Sequence, residues 1–200
     1  SEDIDLDLDS VIVVNTKSIF NKNATLLKIR QSSMDRIYTT IANISNGTRN
    51  AKHPDSMKAF NYMKQQYEDI KTASGNPNIE IITKPLNIRN YILPSLIVKI
   101  KGKKSFNRSI ILGSHFDSRV YSDANIPAPG ANDSGSSCAV NLECFRTLAY
   151  KRDNNYTYEF HLYTGEEWGL LGSRAITKEY QKRDVTTVSY LNYDMVGWPK

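Results

Sequence analysis

Apolar positions recur at intervals of three and four along 33–44, where Met34, Ile37, Tyr38, Ile41 and Ile44 fall on one face of a helix. Ser33 suits its N-cap, and Asn46-Gly47 its end. The same period returns over 56–70 with Met57, Phe60, Met63, Tyr67 and Ile70, opened by Pro54-Asp55 and closed by Gly75-Asn-Pro-Asn78. Three β-rich runs follow, 79–84, 95–101 and 109–113, the last two joined by a basic stretch that reads as a solvated hairpin turn. Ile110-Ile-Leu112 is apolar on both faces, which predicts a central strand. Then come a loop through Pro127 and Pro129, a helix over 135–151, a strand over 157–163, a helix over 169–180 and a strand over 188–193. In that last strand Val188, Tyr190 and Tyr193 read as at least partly buried. Such alternation predicts an α/β fold, a mainly parallel mixed sheet sandwiched between helices.

Ahead of these elements, 1–9 alternates Asp3, Asp5, Asp7 and Asp9 with Ile4, Leu6 and Leu8, the period of an edge strand or the composition of a solvated acidic tail. Leu26, Leu27 and Ile29 form an apolar cluster that belongs to no clear element. The division read from this is an acidic N-terminal tail or edge segment over 1–23 and a single domain over 24–200.

Composition narrows the function classes. A chain of 200 residues, 40% hydrophobic and 24% charged, has the make-up of one soluble core. No apolar run approaches the roughly 18 residues of a membrane span. The sequence begins at Ser1 without a visible signal peptide, as a processed or trimmed chain does. A net charge of +5 does not imply nucleic acid, because Lys and Arg are scattered. The one knot, Lys99, Lys101, Lys103 and Lys104 around Gly102, lacks the interleaved aromatics of a single-strand binding surface. Cys138 and Cys144 lie on one predicted helix, separated by roughly 9 Å of rise, too far for a disulfide; buried free thiols are expected. Sequons at Asn23, Asn43, Asn46, Asn107, Asn132 and Asn155 permit a secreted or lumenal protein.

Four short pieces put His, Asp or Glu where a strand ends or a helix begins: Gly113-Ser-His-Phe-Asp117, Gly130-Ala-Asn-Asp-Ser-Gly135, Gly165-Glu-Glu-Trp-Gly169 and Asn192-Tyr-Asp194. Each has a plain reading alone. His115 and Asp117 can be a His held in a turn, Asp133 or Ser134 an N-cap, Glu166 and Glu167 acids tolerated at a helix N-terminus, and Asp194 a turn residue. Each also has a chemical one. A carboxylate two residues from His115 can orient an imidazole, Asp133 can bridge two cations, and adjacent acids can divide ligand and base roles. Four such coincidences at consecutive junctions favour a site at the carboxyl edge of the sheet.

In this order the pieces resemble the co-catalytic zinc aminopeptidases, most closely the secreted leucyl aminopeptidases of fungi and bacteria. Leu93-Pro-Ser-Leu96, Ala128-Pro-Gly-Ala131, Glu159-Phe-His161, Gly165-Glu-Glu167, Leu171-Gly-Ser173 and Asp194-Met195 carry the likeness through the second half of the chain. The resemblance implies a zinc-exopeptidase, phosphorylase/hydrolase-like fold that removes N-terminal residues from peptides using two zinc ions. It implies that His115 and Asp194 bind one zinc, Glu167 the other, and Asp133 both. Glu166 is then the general base, Asp117 orients His115, and the Asp133–Ser134 peptide is cis. Trp168, Met195 and Trp198 are expected near the pocket. Three carboxylates and a hydroxide balance two zinc ions, so the centre can be buried.

Two departures stand out: Ser134 where close relatives usually carry a second acid, and Ser137 where they usually carry glycine. Neither is a ligand. The family takes a fifth ligand, a His, from a segment well after Asp194. His53 lies before an early helix and His161 within a strand, so neither matches, and the chain reads as the N-terminal part of a catalytic domain. The implied partners are peptides, with no nucleic acid and no membrane, and the implied state is a monomer. Two other readings stay open: a binding or receptor-like module on the same fold, and a carboxypeptidase or glutaminyl cyclase. The cyclases use one zinc, and the presence of His115 weighs against them.

Overall fold

The computed structural model describes residues 33–103, 108–121 and 126–197. The 1–23 segment, the Leu26, Leu27 and Ile29 cluster, Lys104 and Trp198 lie outside the described residues. Ser33 is extended, and its hydroxyl accepts the Arg36 N–H at 3.4 Å, which starts α1, Met34–Ile44. The inward face of α1 is turned from the predicted stripe. Thr40 and Ile44 are buried, while Met34 and Tyr38 are 60% and 64% exposed. The cause is Arg36, whose guanidinium grips the nearly buried Glu143 carboxylate at 2.9 Å and so turns the 36, 40, 44 row inward. Helix α2, Ser56–Ser74, buries Phe60, Met63, Tyr67 and Ile70 and ends at left-handed Gly75.

The order continues with β1 Ile79–Lys84, β2 Ser95–Ile100, β3 Arg108–His115, a π-helical turn Ala131–Ser136, α3 Ser137–Leu148, β4 Thr157–Tyr163, α4 Leu171–Lys182 and β5 Thr186–Asn192. These strands form one sheet in the order β1-β2-β4-β3-β5. The β1–β2 and β2–β4 pairs are antiparallel, and β4–β3 and β3–β5 are parallel. The fold is therefore the expected α/β type with a mixed sheet.

The expected β2–β3 hairpin does not form, because β4 lies between the two strands. Interior β3 therefore yields the middle of the sheet to β4. Side-chain chemistry explains the insertion. Lys99 of β2 reaches Glu159 of β4 at 3.2 Å, and Ser109 of β3 donates to the same carboxylate. Two more lysines of the basic stretch are paired, Lys101 with Glu80 and Lys103 with Asp153.

Strand alternation sorts the core into two sides. Leu96, Val98, Ile100, Leu112, Phe160 and Leu162 pack with α1, α2 and α3. Ile97, Ile111 and Tyr163 face Ile176 and Tyr180 of α4. Strand β5 departs from its reading at Val188 and Tyr190, since every residue in it is exposed, those two by 43% and 49%, whereas Tyr193, just after it, is partly buried against the core as expected. Among the described residues it pairs only with β3. Cys138 and Cys144 are free, and burial pushes the Cys138 thiol up to about 12. Among the described residues no helix is long and apolar enough to cross a membrane.

On the α4 side β4 carries a buried polar network. Glu159 accepts from Ser109, Tyr180 and His161 Nε2, the last at 2.9 Å, while His161 Nδ1 lies 3.0 Å from the Tyr163 hydroxyl. Burial lowers the His161 pKa and keeps the ring neutral, so Nε2–H donates to Glu159 and Nδ1 accepts from Tyr163. Burial alone would raise the Glu159 pKa, but His161, Lys99 and Ser109 bring it down to about 2. A depressed carboxylate pKa stabilises the fold above the unfolded value and ceases to do so as pH falls through the folded one. Glu159→Gln is thus predicted to lose on the order of 3 kcal/mol at neutral pH. In urea unfolding that gap should close as pH drops from 4.5 towards 2.

Candidate metal centre

Three parallel strands end together. His115 closes β3 in register with Tyr163 of β4, and Gly113 pairs with Asn192 of β5, two residues before Asp194. Glu166 and Glu167 follow β4 across left-handed Gly165. Asp133 comes from the π-helical turn that leads into α3.

The His115 Nε2 atom lies 2.9 Å from Asp133 Oδ1, 3.4 Å from Asp194 Oδ1 and 3.9 Å from Glu166 Oε2. His115, Asp133 and Asp194 each offer one ligand atom, and the three lie within 4.8 Å of one another. His115 is 3% exposed, whereas Asp133 and Asp194 are 47% and 48% exposed, so the imidazole forms the floor and the carboxylates the open rim. Glu167 stands outside this group of three.

Asp117 does something other than the expected job. The imidazole is oriented by the Asp117 backbone carbonyl, 3.0 Å from Nδ1, while the carboxylate is 3.8 Å away, beyond hydrogen-bond length. That carboxylate instead accepts the backbone N–H groups of Glu166 at 3.0 Å and Glu167 at 3.3 Å. The i, i+2 spacing brings the two residues together, but the loop after β4 competes for the side chain with two better donors. His115 Nε2 is left facing Asp133 and Asp194.

Crowded acids shift the local ionisations. Burial alone would lower the His115 pKa, but Asp117, Glu166 and Asp194 outweigh it and lift it to about 9. Burial, with Asp133 next, raises Glu167 to about 7, and burial also raises Glu166, with further help from neighbouring acids. Among the described residues every ion pair of Asp133, Glu166 and Asp194 runs to His115. Carboxylates and one imidazole converging without Lys or Arg are the donor set of a divalent cation site, and a cation there opposes each of these shifts. The residues present fit such an ion.

The turn bearing Asp133 is built by a residue the sequence reading did not single out. Arg49 is fully buried in the loop before α2 and donates Nε to Phe116 O at 2.7 Å, Nη2 to Gly130 O at 2.8 Å, and Nη1 to Ile44 O at 3.2 Å and to Pro129 O. One guanidinium therefore ties the His115-Phe-Asp117 segment to the Gly130 turn. Gly130 is left-handed, at φ 51°, and a Cβ there would meet Asp133 O and the Ser118 side chain. The Asp133–Ser134 peptide is cis, as the resemblance implied. The departing residues Ser134 and Ser137 are both buried, and their hydroxyls find no hydrogen-bond partner among the described residues.

Arg119 and Tyr121 were likewise not singled out. Arg119 Nη1 donates to Glu167 O at 3.0 Å, and the Tyr121 hydroxyl lies 3.5 Å from Glu167 Oε2. Trp168 packs edge-on against Tyr91, and Met195 follows Asp194 with 43% exposure. His53 and His161 stay away from the centre. His53 Nδ1 accepts the Asp55 N–H at 3.1 Å, and His161 serves the network on β4.

Residues 95–200 match peptidase family M28. Leucine aminopeptidase 1 of Neurospora crassa is 32% identical over 196 residues, which is 91% of this chain and 47% of that protein. The chain spans about half of that relative's length. The Legionella pneumophila LapA aminopeptidase superposes with a TM-score of 0.76 at 22% identity, over 88% of this chain and 47% of that one. A glutaminyl cyclase from an Acidobacteriales bacterium superposes with a TM-score of 0.64 at 23% identity, over 82% and 57%. At these identities the two structures show a shared fold.

Replacing Arg49 by Met keeps the stem's packing but removes the guanidinium donors from four carbonyls, of which those of Phe116 and Ile44 are in buried bonds. The variant should lose at least about 3 kcal/mol in urea unfolding. Arg49→Lys should recover only part of that, because one ammonium cannot span both segments. A loss under 1 kcal/mol for Arg49→Met would show that the clamp is dispensable.

Proposed function

The chain belongs to peptidase family M28, and from that premise we propose that it carries the centre of a zinc-dependent aminopeptidase acting on peptides in a secreted or lumenal setting. The observation that carries the reading is the convergence of His115, Asp133 and Asp194 at one strand edge, with Glu166 3.9 Å from the imidazole and outside the ligand group. The N. crassa relative is named a leucine aminopeptidase, which supports peptides with an apolar N-terminal residue as substrates. The aminopeptidase and glutaminyl cyclase folds are alike, so the fold does not choose between the two chemistries.

In this reading His115 and Asp194 would hold one zinc ion and Glu167 the other, with Asp133 available to both. Bound zinc supplies Lewis acidity to the scissile carbonyl and makes the attacking water more acidic. Glu166 takes the water's proton on its carboxylate and returns it to the leaving amine. Its raised pKa suits the task, since a carboxylate closer to neutrality is a stronger base than an ordinary one. Asp117 holds the Glu166 backbone by the amide, so the base swings from a fixed point. The Asp117 carbonyl fixes the His115 ring with Nε2 turned to the site. Asp133 and Asp194 on the open rim leave room for a peptide terminus.

A protein that also carries the family's later His should contain two zinc ions and hydrolyse a leucine anilide. Glu166→Gln should cut turnover by about 10²–10⁴-fold while zinc content stays at two. Full activity in that variant removes Glu166 from the mechanism. Conversion of an N-terminal glutamine peptide to its cyclised form, with no anilide hydrolysis, would assign cyclase chemistry instead.

A further inference from the structure

Four loops meet beside Glu167 in an alternating stack of rings and cations. The Arg119 guanidinium carbon lies 3.7 Å from the Trp168 ring centre and 4.6 Å from that of Tyr121. The Lys52 ammonium lies 3.7 Å from the Trp168 centre and 4.8 Å from that of Tyr91. Two cations this close to one ring centre cannot share a face, so the indole is sandwiched between them. Tyr91 also meets Trp168 edge-on, with centres 6.1 Å apart. The sequence along the stack is Tyr121, Arg119, Trp168, Lys52, Tyr91.

This stack is more than packing. An apolar neighbour would cover Trp168 as well, whereas a guanidinium both stacks on the ring and directs hydrogen bonds in its own plane. Arg119 uses that plane on Glu167, donating Nη1 to its carbonyl at 3.0 Å. Neither Arg119 nor Lys52 forms an ion pair among the described residues, so the ring faces and that carbonyl are what hold them. Tyr121, at the end of the stack, reaches the Glu167 carboxylate with its hydroxyl at 3.5 Å. From the opposite side Asp117 takes the amides of Glu166 and Glu167. The dipeptide is thus gripped at two amides and one carbonyl.

We propose that Lys52, Arg119, Trp168 and Tyr91 form a positioning device that fixes the Glu166–Glu167 loop and presents the Glu167 carboxylate to its metal ion. The metal clause rests on the reading of Glu167 as a zinc ligand; the clause about the loop does not. Glu167 needs such a device because it alone of the four ligand candidates stands outside the compact His115, Asp133 and Asp194 group. That group is held by strand ends and by Arg49, which the stack does not touch. Loss of the stack should therefore loosen one ion and spare the other.

Two readouts on the full chain test this: amide hydrogen exchange over 165–170, and zinc affinity by calorimetry. The variants are Arg119→Met, which keeps an apolar stem, Trp168→Leu, which removes the ring, and Trp168→Phe, which restores one. Arg119→Met and Trp168→Leu should speed exchange over 165–170 by about tenfold or more, with β3 and α3 unchanged. One zinc site should weaken about 10- to 100-fold and the other hold its affinity. Trp168→Phe should stand near wild type in both readouts. Wild-type exchange in the first two variants, or faster exchange throughout the fold, overturns the positioning role. Wild-type protein that also carries the family's later His and still binds fewer than two zinc ions refutes the ligand role of Glu167, and exchange then decides the positioning role by itself.

Discussion

Parallel pairing of β4, β3 and β5 is the constraint on which the site depends. Parallel neighbours present the same end at the same edge, so the residues that follow each strand have to meet. That register delivers His115, the chain leading to Glu166 and Glu167, and the chain leading to Asp194 to one edge. An antiparallel β2–β3 hairpin would have occupied one edge of β3 and left a single edge for β4 and β5, so the glutamates and Asp194 could not both have flanked His115. The buried Glu159 network, which joins Lys99 of β2 and Ser109 of β3 through β4, is therefore part of the site's foundation although it lies on the α4 side of the sheet.

Proximity creates an electrostatic debt that backbone groups and one arginine partly meet. Asp117 is fully buried and placed against two amides, and Arg49 is fully buried and placed against carbonyls, so neither neutralises the other acids. The charge left over gathers at the rim, in Asp133, Glu166, Glu167 and Asp194. The raised Glu167 and His115 pKa values are the same excess seen from either side. A pair of divalent cations is the simplest counter-charge for such an arrangement.

Much of the fold was legible from apolar period. The strand 157–163 was placed to the residue, the helix beginning after Ser33 has its predicted cap, and the four acidic junctions all lie at the carboxyl edge. What escaped was decided by partners distant in sequence. The face of α1 is set by Arg36 reaching Glu143, a contact across 107 positions that no local period encodes. The β2–β3 link read as a hairpin because a turn-like basic stretch looks the same whether or not another strand inserts. Val188 and Tyr190 read as at least partly buried, yet among the described residues β5 is an edge strand and each of its residues is exposed. Within the site the residue types were readable, but Asp117's division of labour between carbonyl and carboxylate depends on a loop 49 residues away. Arg49 offered no pattern at all, since its partners are backbone carbonyls rather than acids.

The central claim, that these acids and one imidazole form a two-metal centre, is tested most directly by anomalous diffraction at the zinc edge from crystals of the protein with the family's later His present. The account predicts two peaks sharing Asp133, one also touching His115 and Asp194 and the other Glu167. A single peak confined to His115, Asp133 and Asp194, or none at this edge of the sheet, would contradict it.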